Sequence, residues 1–171
     1  MKTLLISGYP DTGKTGLLQR LVNNTRLGVF VIDSTVMPIP IFSPTIRPTV
    51  DFIALIEIDG VRVIINTESD VPNSITKLRS FFNKHNSIKP IDILITSIRN
   101  AGDPVRDLLL REFGLIITPP NIPSPDIVEI PLGRVVVRNA VRRAIAVHGM
   151  QEAVDKLVIH TLSNNPFGLR L

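Results

Sequence analysis

Residues 8 to 15 read Gly-Tyr-Pro-Asp-Thr-Gly-Lys-Thr, a glycine-framed turn that leaves an apolar run, "TLLIS", and enters a leucine-rich amphipathic stretch. That pattern, G-x-x-x-x-G-K-[ST] between a strand and a helix, suits one chemistry in particular. The glycines let the backbone curl so that successive N–H groups point inward, and the helix start adds the positive end of its dipole. A ligand with clustered negative oxygens would be held by Tyr9, Pro10, Asp11, Thr12, Gly13, Lys14, Thr15 and Gly16. Lys14 supplies a full charge for the β- and γ-phosphates of a nucleotide and is the first catalytic candidate. Thr15 is placed to put its hydroxyl on Mg²⁺.

This stretch resembles the phosphate loop of the P-loop NTPases, and within them the small Ras-like GTPases and the β-subunit of the signal-recognition-particle receptor. "SPTIRPTV" is similar to their first switch loop, which implies a metal-contacting Thr45, with Thr49 as a second choice. "IEIDGVRVIINTES" is similar to the hairpin leading to their second switch. The resemblance implies Mg²⁺ and GTP/GDP or ATP/ADP as cofactors. Where the second switch should begin D-x-x-G, the chain carries Asn66, Thr67, Glu68 and Ser69. Asn66 can accept a hydrogen bond from a metal-bound water but brings no charge, and Ser69 offers a backbone N–H to the γ-phosphate. Asp70 follows where a water-orienting Gln is common, which makes it the second catalytic candidate. Asp33 and Glu68 are further carboxylates for the metal or the attacking water. The guanine motif [NT]-K-x-D should follow "IDILI"; the chain reads Thr96, Ser97, Ile98, Arg99 there, so Arg99 and the following Asn100 are left to contact base, ribose or phosphate. An arginine has donors only and cannot replace the carboxylate that reads guanine.

These residues need a scaffold. Strand signals fall at residues 3–7, 28–32, 52–58, 61–65, 91–96 and 115–118, several as unbroken apolar runs of the kind buried on both faces of a sheet. Helical periodicity lies between most of them: Leu17, Leu18, Leu21 and Val22; then Ile75, Leu78, Phe81 and Phe82 after Pro72. In "GDPVRDLLLREFG" Asp103 should cap, Pro104 should take the first helical position and Gly114 should end the helix. "QEAVDKLVIHTL", residues 151–162, predicts a last helix. Asp59-Gly60 between two β-rich runs is a two-residue hairpin signal and predicts one antiparallel strand in an otherwise parallel sheet. The expected fold class is therefore α/β, a three-layer P-loop NTPase fold in one domain spanning residues 1–171. Two proline-rich stretches, residues 37–48 with four prolines and 118–131 with five, are expected to lack regular structure.

Composition narrows the classes. No apolar run approaches the ~18 residues of a membrane span, and "MKTLLISGYP" is broken too early by Ser7, Gly8 and Pro10 to be a secretory leader. With no cysteine, thiolate nucleophiles and Cys-ligated zinc are excluded, and a cytoplasmic location is the simplest expectation. His85, His148 and His160 are scattered and suggest no zinc site. The net charge of +4 is too small to indicate nucleic acid, and the stripe Arg134, Arg138, Arg142 and Arg143 lacks interleaved aromatics, so nucleic acid is an unlikely partner. The expected function is a nucleoside-triphosphate-binding switch with slow Mg²⁺-dependent hydrolysis, signalling to a protein through its switch loops. An ATPase or small kinase, and a non-hydrolysing nucleotide-binding interaction module, are the alternatives.

Overall fold

The computed structural model describes residues 1–9, 12–24, 27–39, 50–115, 126–133 and 140–171, apart from the side chains of 140–145. The elements run β1 (Lys2–Gly8), α1 (Lys14–Val22), β2 (Phe30–Ser34), β3 (Ile53–Ile58), β4 (Val61–Asn66), α2 (Pro72–Asn86), β5 (Ile93–Ile98), α3 (Pro104–Glu112), β6 (Ile127–Leu132) and α4 (Ala140–Ser163). The six strands form one sheet in the order β2-β3-β4-β5-β1-β6.

β4, β5, β1 and β6 are parallel neighbours, while β3 runs antiparallel to both β2 and β4. The single reversal comes from Asp59 and Gly60. Both residues take positive φ, 51° and 78°, the backbone that matches the twist of a tight hairpin. Because β3 is reversed, its first residues lie at the edge where the parallel strands end: Ile53 pairs with Asn66. That edge receives the loop after β1.

Alternate residues of the strands feed two apolar clusters, one on each face. Leu4, Ile6, Ile56, Val63, Ile65 and Ile95 meet Leu17, Leu18 and Leu21 of α1 and Val158 and Leu162 of α4. Leu5, Leu55, Ile64 and Leu94 point the other way, to Ile75 and Leu78 of α2 and Leu109 of α3. The helices following β4 and β5 therefore cover one face, and those following β1 and β6 the other. The side changes once, between β5 and β1. In open α/β sheets the crevice beyond such a change, at the carboxyl ends of the strands, is where ligands bind.

Local signals placed the elements well except where turns or prolines intervened. Asp103 caps α3 through Val105 N at 2.9 Å, and Pro104 fills its first position. β2 begins two residues later than the apolar run suggests, because Gly28 takes a positive φ and belongs to a turn. The stretch ending at Pro131 contradicts the expectation of irregular chain: β6 passes through it, pairing Thr3 with Ile127 through Gly8 with Leu132. Among the described residues β6 is an edge strand, which bonds on one side only and there tolerates a proline. The last helix starts at Ala140, well before the periodic stretch that signals it. The strand expected over 115–118 lies outside the described residues beyond Leu115, as does most of the first proline-rich stretch. No described helix is long and apolar enough to cross a membrane.

Candidate nucleotide site

The turn between β1 and α1 is shaped by steric necessity at Gly8. A Cβ there would stand 2.7 Å from Thr12 Oγ1 and 3.1 Å from the Leu132 carbonyl. Gly13, with φ 86°, occupies the helix N-cap in the left-handed region, and among the described residues no side chain caps α1. No acidic residue sits in its first turn either, so the opening N–H groups of the helix face no competing carboxylate of that turn. Lys14 is 7% exposed, and its ammonium donates to the carbonyls of Gly8 and Tyr9, both at 2.9 Å. The cation thus lies folded across the loop, and Thr12 Oγ1 also donates to Tyr9 O. Tyr9 itself is largely exposed at the rim. Gly16 is buried in the first turn of α1. Pro10 and Asp11 lie outside the described residues, as do Thr45 and Thr49.

Across the switch point stands the end of β5. Arg99 Nη2 lies 3.0 Å from Asp70 Oδ1, so the candidate base contact and the candidate water-orienting acid form a pair. Asn100 leads into α3, its carbonyl accepting from Asp103 N at 3.3 Å. Below them Arg106 of α3 donates to the Arg99 carbonyl and grips Glu129 of β6 with two bonds, 2.9 and 2.8 Å. Burial tends to raise the Glu129 carboxyl, but hydrogen bonds from Arg106 and Ser7 and the guanidinium charge outweigh it and hold the group below its ordinary value. This bridge ties β5, α3 and β6 together beneath the crevice.

Asn66 ends β4, one strand further out. Its amide nitrogen donates to Thr96 Oγ1 at 2.9 Å and to the Glu68 carbonyl at 2.8 Å, while its oxygen accepts from Glu68 N. The side chain is fully buried and spent on holding the turn after β4. Ser69 is also buried, accepting from Ser97 Oγ at 2.9 Å. Glu68 reaches outward to Lys77 at 3.4 Å. Asp33 is not part of this edge. It meets Lys84 at 2.8 Å and His85 at 2.9 Å in the last turn of α2, about 18 Å along the helix from Pro72. The Lys84 hydrogen bond is the main reason its carboxyl is held low.

The hydroxyl of Thr15 meets a residue outside the expected set. It donates to Asp51 Oδ1 at 2.8 Å, and Gln19 Nε2 in the next turn of α1 donates to the Val50 carbonyl at 3.1 Å. Asp51 stands two residues ahead of β3, and Phe52 beside it is bonded through its N–H to Thr67 Oγ1 at 2.7 Å. Burial pushes the Asp51 carboxyl up, hydrogen bonds from Thr15 and Thr67 oppose that, and the nearby charges of Asp70 and Glu68 add to the rise. The sequence did contain the signal. The Asp59-Gly60 reversal sends the start of β3 to the edge that receives the loop after β1, and Asp51 is the carboxylate carried there.

Comparisons with protein-family models, curated proteins and solved structures return no match to this chain.

Proposed function

We propose that this chain is a nucleoside-triphosphate-binding P-loop protein, a small GTPase-like switch with slow Mg²⁺-dependent turnover. The observation that carries the reading is Lys14: a nearly buried ammonium lying across a glycine-shaped loop, at the one point where the helices change sides. Burying a lysine in a turn has a cost that packing alone does not offset. A loop made to receive phosphate gives that charge a purpose. Thr15 follows as the hydroxyl for Mg²⁺, whose hard oxygen chemistry suits the hydroxyl and carboxylate oxygens gathered there. Bound Mg²⁺ would offset phosphate charge. Arg99 supplies donors to the nucleotide from β5, and Asp70 stands beside it to orient water. Slow turnover is expected because the chain carries no carboxylate at position 66 and its sequence offers no evident arginine finger.

A second reading, an ATPase, is favoured by the missing guanine-reading carboxylate: the chain carries Arg99 where the motif resembled would continue toward its Asp. Guanine offers its N1–H and 2-amino donors to a carboxylate, and an arginine cannot accept them.

Calorimetric titration with GTP, GDP, ATP and ADP in Mg²⁺ tests both. The switch reading expects tight GTP and GDP binding, lost by about 100-fold or more in Lys14→Ala. ATP binding about 100-fold tighter than GTP moves the assignment to the ATPase. No binding of any of the four nucleotides overturns the proposal.

A further inference from the structure

We propose that Asp51, not Asn66, is the carboxylate that holds the metal ion together with Thr15; this rests on the phosphate-binding reading above. Three carboxylates surround the start of β3, and two of them have cations: Glu68 meets Lys77, and Asp70 meets Arg99. Among the described residues Asp51 has no cationic partner, only the hydroxyls of Thr15 and Thr67. A half-buried carboxylate in that setting calls for a positive charge.

The distance suits one. Two oxygens in adjacent corners of a Mg²⁺ octahedron, each about 2.05 Å from the ion, lie about 2.9 Å apart. Thr15 Oγ1 and Asp51 Oδ1 are 2.8 Å apart, so an ion can take the place of the shared proton with little movement of either group. The described residues include no group of three or more acidic or histidine side chains able to hold a metal by themselves. That is the expected arrangement for Mg²⁺, which is commonly held by one or two protein oxygens and completed by phosphate oxygens and water.

Asn66 brings no charge, and its bonds give it another role. Its nitrogen and oxygen are both engaged with Thr96 and Glu68, and its function is to fix the turn from which Asp70 projects. The charge missing from the end of β4 has thus been moved to the head of β3. The hairpin delivers it to the same edge, because Ile53 and Asn66 are register partners.

The test uses the full chain and a fluorescent nucleotide analogue, GTP- and ATP-based in separate arms, titrated in Mg²⁺ and in EDTA. Loss of the free Mn²⁺ paramagnetic signal gives a second readout that does not depend on turnover. Wild type should bind the nucleotide at least about tenfold tighter with Mg²⁺, and Asp51→Asn should reduce that gain to less than about threefold. Asn66→Asp should alter the gain by less than about twofold. Thermal melts of both variants show whether the fold is kept. An undiminished Mg²⁺ gain in a folded Asp51→Asn overturns the assignment and leaves the phosphate reading standing. Wild-type binding that ignores the metal does the same. Absence of nucleotide binding in both buffers overturns the two together.

Discussion

Arg99 and Asp70 close on each other across the crevice, guanidinium to carboxylate at 3.0 Å, with Arg99 mostly buried and Asp70 56% exposed. An ion pair with one partner so open contributes little to folding. A double-mutant cycle on Arg99→Ala and Asp70→Ala should give a coupling of at most about 1 kcal/mol in urea unfolding. Nucleotide affinity should respond differently. Arg99→Ala is expected to weaken it about tenfold through a lost charge-assisted contact, and Asp70→Asn to leave it equal or tighter because the guanidinium is released. A fall in affinity equal in the two variants would assign the pair to structure alone.

Gly8 gives a sharper steric test. Its substitution by Ala drives a Cβ against Thr12 Oγ1 and the Leu132 carbonyl, and the carbonyl belongs to a paired strand that has little room to yield. Gly8→Ala should destabilise by about 1–3 kcal/mol and also displace the loop, weakening nucleotide binding more than the change in stability requires. Unaltered melting and affinity would contradict the tight approach of β1 to β6.

The Arg106–Glu129 bridge predicts an acid-sensitive fold. Burial would raise the Glu129 carboxyl, yet the hydrogen bonds from Arg106 and Ser7 prevail and lower it beneath 4.5, so the folded chain favours the ionised form. Its contribution is present above the unfolded value and is lost as pH falls through the folded one. Glu129→Gln should cost about 2 kcal/mol near pH 7 by leaving Arg106 half-satisfied, and the gap from wild type should narrow below about pH 4. Urea titrations at the two pH values measure it; a gap that does not change with pH would count against the bridge.

Asp51 predicts the opposite sign. Its carboxyl is raised, chiefly by burial, so the folded chain disfavours the charge and stability declines as pH rises through that group's titration. In metal-free buffer near neutral pH, Asp51→Asn should therefore raise the melting temperature, by about 2–4 °C for a chain of this size. A lower melting temperature would mean that the Thr15 contact outweighs the buried charge.

Much of the scaffold was legible because the inner strands are continuous apolar runs and the turns carry their own chemistry. Asp59-Gly60 announced the reversal, and Asp103 with Pro104 announced α3. β6 was not legible: Pro131 argues against a strand, and only its place at the sheet edge makes it acceptable. In the loop after β1, the tight approach at Gly8 and the left-handed Gly13 could be read directly, since their spacing is local. The Thr15–Asp51 contact could not be found by matching the motifs the sequence resembles, which point to position 66. Its place depends on strand direction and register, a long-range relation carried by the hairpin. Asp33 likewise ends an apolar run, and its place beside Lys84 and His85 at the far end of α2 depends on long-range packing.

Both outer strands also bear on how the chain behaves in a crowded solution. Among the described residues both rims of the sheet are unpaired, and an unpaired rim is a template on which strands of other molecules can add, the first step of aggregation. On one rim Pro131 removes a donor from β6 and interrupts the row a newcomer would need. On the other, β2 carries exposed Phe30 and Ile32, adhesive residues for a stray strand. There the bulge between Val31 and Asp33 breaks the register, and the charged cluster of Asp33 with Lys84 and His85 sits beside it. The proline that hides β6 from the sequence reader also hides it from neighbouring chains.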